Sequence, residues 1–309
     1  MTGPDFSLHV PPQGYAWWYV DAWSDDGDFG LTMIAFVGSV FSPYYAWSGR
    51  EDPGNHCAIN VALYGRRHRL WAMTERGRGR VDRSPSHFAV GPSHLEWDGR
   101  GLAIHVSERA MPVPRKVVGT IRVFPEILNT ARFALDDEER HHWRPVAPRA
   151  RLELDFTHPG LSWAGDGYFD SNTGTEPLEA GFRYWDWSRF PVGKDRAAIL
   201  YNTDAMRGAH RQLALDFGPD GPQPIEAELR DFALKPSPVF RNRRRTRADA
   251  EAVPHIVETL EDAPFYSRSL LSSQVMGESV LGFHEGFSGP RFASTLTKLM
   301  LPFRMPRRG

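Results

Sequence analysis

From Gly14 onward apolar and polar residues alternate in short runs with a period near two, so the chain reads as strands joined by tight turns. Gly14 to Trp23 is an aromatic strand, Ser24-Asp25-Asp26-Gly27-Asp28 a turn, and residues 29–40 a long apolar return strand. Further strands are expected at 56–64, 70–74, 87–90, 94–97, 102–107, 117–124 and 150–156. The second half adds 197–201, 212–217, 225–234, 255–261, 266–277 and 278–286. Trp97-Asp98-Gly99-Arg100-Gly101 and Gly218-Pro219-Asp220-Gly221 are hairpin turns. Helical periodicity is nearly absent: 247–252 is too short to stand alone, and 291–300 is the one candidate, a terminal helix.

Strands at short spacing without alternating helices predict an all-β architecture of barrels or sandwiches, not a nucleotide-binding α/β sheet. Gly181-Phe182-Arg183-Tyr184-Trp185-Asp186-Trp187, a turn at 191–195 and an apolar return at 197–201 echo the opening hairpin. Two such units imply tandem β domains, 1–178 and 179–309. A chain of 309 residues is long enough to give each its own core. The join near Pro177 to Gly181 sets the segment before it at the seam, a favoured place for a ligand pocket.

Composition narrows the function. The net charge of −1 provides no field for a polynucleotide, so nucleic acid is not an expected partner. The single cysteine, Cys57, excludes an internal disulfide and fits a reducing compartment, and no Cys/His spacing suggests structural zinc. The start Met1-Thr2-Gly3-Pro4-Asp5-Phe6 lacks a secretory pattern, and no run of eighteen apolar residues occurs, so no membrane span is expected. GxGxxG after a strand, P-loop, GxSxG and HExxH motifs are all missing, which closes the usual cofactor and hydrolase routes.

Candidate chemistry collects in Gly165-Asp166-Gly167-Tyr168-Phe169-Asp170-Ser171-Asn172-Thr173-Gly174-Thr175-Glu176-Pro177-Leu178. In a strand, Tyr168 and Asp170 share one face and Phe169 takes the other; the competing reading is an Asx turn from Asp170 to Asn172. His141 and Trp143 stand in the same i, i+2 relation, against the alternative of rim contacts or packing. Asp186 is expected to point outward between two inward tryptophans. Trp17, Trp18, Trp23, Trp47 and Trp71 are expected to line cores, and Glu176 and Glu179 to be solvated. The basic run Arg241-Asn242-Arg243-Arg244-Arg245-Thr246-Arg247 is a solvated loop or a contact for anionic lipid head groups, a role also open to the tail Leu301-Pro302-Phe303-Arg304-Met305-Pro306-Arg307-Arg308.

The opening Gly14-Tyr15-Ala16-Trp17-Trp18-Tyr19-Val20-Asp21-Ala22, the Tyr168–Gly174 core with Glu176-Pro177-Leu178-Glu179, the Trp185-Asp186-Trp187 strand and the terminal Leu301-Pro302-Phe303-Arg304-Met305-Pro306-Arg307 resemble the carotenoid 1,2-hydratase (hydroxyneurosporene synthase) family nearly end to end. The resemblance implies a tandem lipocalin-like fold. It implies cofactor-free and metal-free addition of water to the terminal double bond of acyclic carotenoids such as neurosporene and lycopene. It further implies work on the cytoplasmic side of a photosynthetic inner membrane, in peripheral contact with its lipids. The family's proposed His-x-Trp and Tyr-x-Asp pairs match His141, Trp143, Tyr168 and Asp170.

Such a reaction needs a carboxyl group that is still protonated near neutrality. Asp170, buried against apolar rings, is the expected acid, with Tyr168 holding its proton, Trp143 facing the cation and His141 orienting water. A non-catalytic carotenoid carrier or a pericyclase on the same scaffold would need no such acid.

Overall fold

The structure is a computed structural model and describes residues 3–65 and 69–308; Met1 and Thr2, part of the start read for a leader, lie outside the described residues. The strands of the first half are β1 (Tyr15–Ser24), β2 (Phe29–Val37), β3 (Cys57–Gly65), β4 (Leu70–Arg76), β5 (Val81–Arg83), β6 (His87–Val90), β7 (Ser93–Trp97), β8 (Leu102–Ala110), β9 (Arg115–Ile127), β10 (Phe133–Ala134), β11 (His141–His158) and β12 (Leu161–Gly174). The second half contains β13 (Phe182–Val192), β14 (Arg196–Ala205), β15 (Arg211–Gly218), β16 (Gly221–Pro224), β17 (Leu229–Leu234), β18 (Arg244–Asp249), β19 (His255–Asp262), β20 (Tyr266–Val275) and β21 (Glu278–Ser288), and β22 (Arg307–Arg308) closes the chain. Helices are brief: α1 (Pro43–Trp47), α2 (Leu178–Gly181), α3 (Gly289–Ala293) and α4 (Thr295–Met300).

The chain forms two compact units. Residues 1–133, 141–177 and 298–309 make the first, residues 134–140 and 178–297 the second. In the first, one antiparallel sheet runs β4-β3-β2-β1-β12-β11-β9-β8-β7-β6-β5, and β22 adds to β4 in parallel. The sheet curls, so that β4 returns against β8. In the second the order is β16-β15-β14-β13-β21-β20-β19, with the separate hairpin β17–β18 packed across β13 and β20.

Local chemistry explains the turns. Between β1 and β2 the Asp26 carboxylate accepts from the Ser24 hydroxyl at 2.5 Å and the Asp28 amide at 3.0 Å, and Gly27 supplies the left-handed φ of 75°. Between β7 and β8, Asp98 accepts the amides of Arg100 and Gly101, each at 2.8 Å. Alternation then sorts the faces. Trp18, Val20 and Ala22 of β1, Leu31, Met33, Ala35 and Val37 of β2 and Phe169 of β12 point into the core of the first unit, where Trp18 meets Phe6 and Phe88 edge-on at 5.1 and 5.4 Å.

Several sequence expectations are corrected. The expected helix at 291–300 is two pieces, because Ser294 is extended (φ −64°, ψ 140°) and its hydroxyl donates to the Arg291 carbonyl and accepts the Thr297 amide. The 241–247 run is neither a loop nor free for head groups over its second half. It enters β18, where Arg244 is buried and Arg245 bridges Asp186 and Asp204 at 2.8 Å each. Asp186 points inward, sharing its strand face with Ser188 and the core residue Phe190, because Arg245 and Asn202 satisfy its carboxylate. Trp47 ends α1 and is 55% exposed. Residues 141–149, left out of the expected strands, belong to β11, whose two register shifts at Pro145/Ala147 and Ala147/Ala150 accommodate Pro145 and Pro148.

Candidate active site

Three adjacent strands of the first unit, β1, β12 and β11, build the candidate site on the face opposite the core. Their register sets the side chains in rows: Tyr15–Gly174–His141, Trp17–Asn172–Trp143, Tyr19–Asp170–Pro145, and Asp21 beside Tyr168. β1 and β12 pair without a break, and β11 keeps register with β12 from His141 to Pro145, so these rows are fixed by backbone pairing rather than by a loop. Tyr168 and Asp170 both lie within the strand β12, and Asp170 has register partners on both sides, Tyr19 and Pro145, so the Asx-turn reading does not hold.

The tightest cluster joins Trp143, Tyr168 and Asp170. The Trp143 indole N–H donates to Asp170 Oδ2 at 2.9 Å and to the Tyr168 hydroxyl at 3.0 Å, and that hydroxyl lies 2.8 Å from the same Oδ2. Asn172 Nδ2 reaches Asp170 Oδ1 at 3.1 Å. All four side chains are buried, Asp170 at 4% exposure. Burial and the neighbouring Asp170 carboxylate hold the Tyr168 phenol well above its usual range, so it keeps its proton at any physiological pH. Its hydroxyl can rotate: it donates a hydrogen bond to an ionised Asp170 or accepts one from the O–H of a neutral Asp170.

His141 lies two rows along the same face. Its Nδ1 is 2.8 Å from the Tyr15 hydroxyl and its Nε2 is 3.5 Å from Glu176 Oε1. Gly174 makes the first contact possible: a Cβ there would stand 2.3 Å from the Tyr15 ring and 2.8 Å from His141 Nδ1. Aromatic rings surround the polar groups. Tyr15 stacks on Trp17 at 4.8 Å, Tyr19 meets Tyr168 edge-on at 6.1 Å, and Phe133 tilts against Trp143 at 5.5 Å. The surface is therefore greasy with a few directed polar atoms, the make-up of a site for an apolar ligand that undergoes polar chemistry.

Sequence reasoning named His141, Trp143, Tyr168 and Asp170 but missed Tyr15, Gly174, Asn172 and Glu176 as their partners. Glu176, expected to be solvated, has a side chain only 17% exposed and faces His141. Tyr15 carried a weak signal as the first of three alternate aromatic residues on β1, with Trp17 and Tyr19. Nothing local links it to a histidine 126 positions away. Cys57 is buried and its thiol is pushed up to about 12 by desolvation, so it is not a nucleophile.

The model of the carotenoid hydratase CrtC family matches residues 33–309. The chain belongs to this family. Among relatives of the hydratase family, the acyclic carotenoid 1,2-hydratase of Thiocapsa roseopersicina is 49% identical, covering 99% of this chain and 76% of that protein. The enzyme of the same description from Rubrivivax gelatinosus is 47% identical with the same coverage. Among solved structures, kievitone hydratase from Nectria haematococca superposes with a TM-score of 0.54 at 11% identity, covering 90% of each chain. At that identity the likeness speaks to fold alone, and it agrees with the all-β, lipocalin-like expectation.

Proposed function

We propose that this member of the carotenoid hydratase family is an acyclic carotenoid 1,2-hydratase, a hydro-lyase that adds water across the terminal C1–C2 double bond to give a 1-hydroxy carotenoid. The supporting observation is a carboxyl, Asp170, buried on an aromatic face and held by Trp143, Tyr168 and Asn172.

The steps balance without a cofactor. Asp170, protonated on Oδ2 with Tyr168 accepting that proton's hydrogen bond, transfers it to C2, and the tertiary cation forms at C1. The negative π faces of the surrounding rings stabilise that cation by roughly 0.5–2 kcal/mol each where water is excluded. Water adds to C1, its surplus proton passes to neutral His141, and the proton returns to Asp170 to restore the starting state. Tyr15 and Glu176 fix the imidazole's orientation. The carboxylate released by proton transfer is stabilised by the N–H donors of Trp143 and Asn172, so the same cluster serves both charge states of Asp170.

The substrate is an extended hydrocarbon, and the reading includes peripheral contact with the cytoplasmic face of a photosynthetic inner membrane. No helix among the described residues is long and apolar enough to cross a bilayer. Support for contact comes from Leu299, Met300 and Phe303, exposed at 59%, 41% and 75% beside Lys298 and Arg304.

The test is Asp170→Asn. Incubated with lycopene or neurosporene in detergent, the wild type gives a product heavier by one water. The variant is expected to fold, bind pigment and lose at least a thousandfold of this activity, in keeping with loss of a general acid. Turnover within tenfold of wild type would overturn the role of Asp170 and revive a carrier or a pericyclase.

A further inference from the structure

One charged concavity of the first unit takes no part in the proposed chemistry. It encloses about 680 Å³ and is lined by the cations Arg76, Arg80, Arg109, Lys116 and Arg308, together with His158 and a single carboxylate, Glu108. Glu108 is fully engaged: Arg76 grips it in bidentate fashion, 2.9 Å at each oxygen, and the Ser93 hydroxyl adds a third contact at 2.9 Å. That leaves Arg80, Arg109, Lys116 and Arg308 exposed and without an ion-pair partner among the described residues.

Their arrangement is unfavourable to folding. Arg109 and Lys116 are direct cross-strand neighbours on β8 and β9, and Arg308 pairs in register with Arg76 between β22 and β4. Like charges directly opposite each other destabilise a sheet. In a chain whose net charge is −1, four uncompensated cations converging on one hollow make a site for an anion.

The chain leading into the hollow adds a second character. Arg308 ends a tail that passes through the exposed Leu299, Met300 and Phe303, and Arg304 anchors this tail by lying 4.2 Å over the Trp71 ring. A soluble phosphate compound would gain nothing from three exposed apolar side chains, whereas a lipid surface engages both kinds of group. We infer that this hollow receives the phosphate head group of an anionic phospholipid while Leu299, Met300 and Phe303 enter the bilayer interface. This deepens the membrane-contact reading above and rests on it, though not on the catalytic assignment. It moves the lipid contact away from residues 244–247, which are committed to the second unit.

Flotation of the full chain with phosphatidylglycerol–phosphatidylcholine vesicles, against pure phosphatidylcholine, tests it. The wild type is expected to float with the anionic vesicles only. The double variant Arg109→Gln/Lys116→Gln, changed at two exposed positions, is expected to melt no lower than wild type. It should bind about thirtyfold more weakly, as follows from two charges near an anionic surface. Its turnover of detergent-dispersed lycopene should be unchanged, and its turnover of vesicle-embedded lycopene should fall. If wild type and variant float equally, the hollow is wrong and membrane contact stands. If the wild type does not float with either vesicle, both fail while the hydratase reading is untouched. Inorganic pyrophosphate that binds the wild type tightly, with no vesicle binding, would assign the hollow to a soluble phosphate ligand and overturn the lipid.

Discussion

A glycine illustrates how single positions control this site. Gly174 lies between Tyr15 and His141 in the row that crosses three strands, and its missing side chain is what allows the phenol to reach the imidazole. Because β12 is extended at this point, alanine meets no backbone objection; the conflict is steric, 2.3 Å to a ring carbon and 2.8 Å to Nδ1. The ring pair must separate, so Gly174→Ala is expected to lower kcat on lycopene tenfold to a hundredfold, with a loss of about 1–3 kcal/mol in stability from overpacking. Tyr15→Phe, which keeps the ring and removes only the hydroxyl, should fold like wild type and lower kcat without raising KM. Urea denaturation and steady-state kinetics on both variants check this. Wild-type kcat in Gly174→Ala would mean that the Tyr15–His141 contact has no part in turnover.

At the scale of elements, the second unit carries a polar row that its sequence concealed. Ser188 of β13, His284 of β21 and Ser269 of β20 are adjacent in register, all fully buried, and Ser188 Oγ lies 2.9 Å from His284 Nδ1. Burial first, and the nearby Arg244 guanidinium second, push the imidazole down to about 3. In the unfolded chain this histidine titrates near 6.5. Between those values the unfolded state binds the extra proton, so the stability that His284 contributes is present above about pH 6.5 and is lost as pH falls toward 3. The slope is up to about 1.4 kcal/mol per pH unit. His284→Gln removes this titration, and urea midpoints measured from pH 4 to pH 8 should therefore vary less in the variant than in wild type. Parallel curves would show that His284 titrates in the folded protein as it does in the unfolded chain, and that burial does not hold its imidazole down. Alternation identified β13, β20 and β21 correctly, yet it assigns faces by polarity and so turned Asp186 outward. Inward polar residues are tolerated here because partners from strands distant in sequence satisfy them: Arg245 for Asp186, Ser188 for His284. The β1–β2 hairpin and the shared face of Tyr168 and Asp170 were legible because both depend only on near neighbours. The start of β11 was not, since Pro145 and Pro148 read as breakers until the bulges that absorb them are known.

Over the whole molecule, the last twelve residues belong with the first unit rather than with the strands that precede them, and their seating depends on one charged contact. Arg307 of β22 bonds Glu75 of β4, whose side chain is 1% exposed, and donates from Nη2 to the Asn55 carbonyl at 3.1 Å; Glu75 also contacts His56 Nδ1 at 2.8 Å. A buried carboxylate that loses a fixed cation is destabilised far more than the pair was ever worth, because its hydration was already given up. The guanidinium is itself partly exposed, 28% of its side chain, which screens the contact and trims the effect. Arg307→Met is thus expected to cost about 2–3 kcal/mol in urea denaturation, and Glu75→Gln in that background should recover part of it, because the orphaned charge is then gone. If the tail were merely an appendage, Arg307→Met would leave the unfolding midpoint unchanged and the double variant would be no more stable than the single. The same measurement bears on lipid contact: a tail loosened at Arg307 also frees Phe303 and Arg308 from a fixed geometry, so vesicle flotation by Arg307→Met should weaken along with stability, although none of the five hollow-lining cations has been changed.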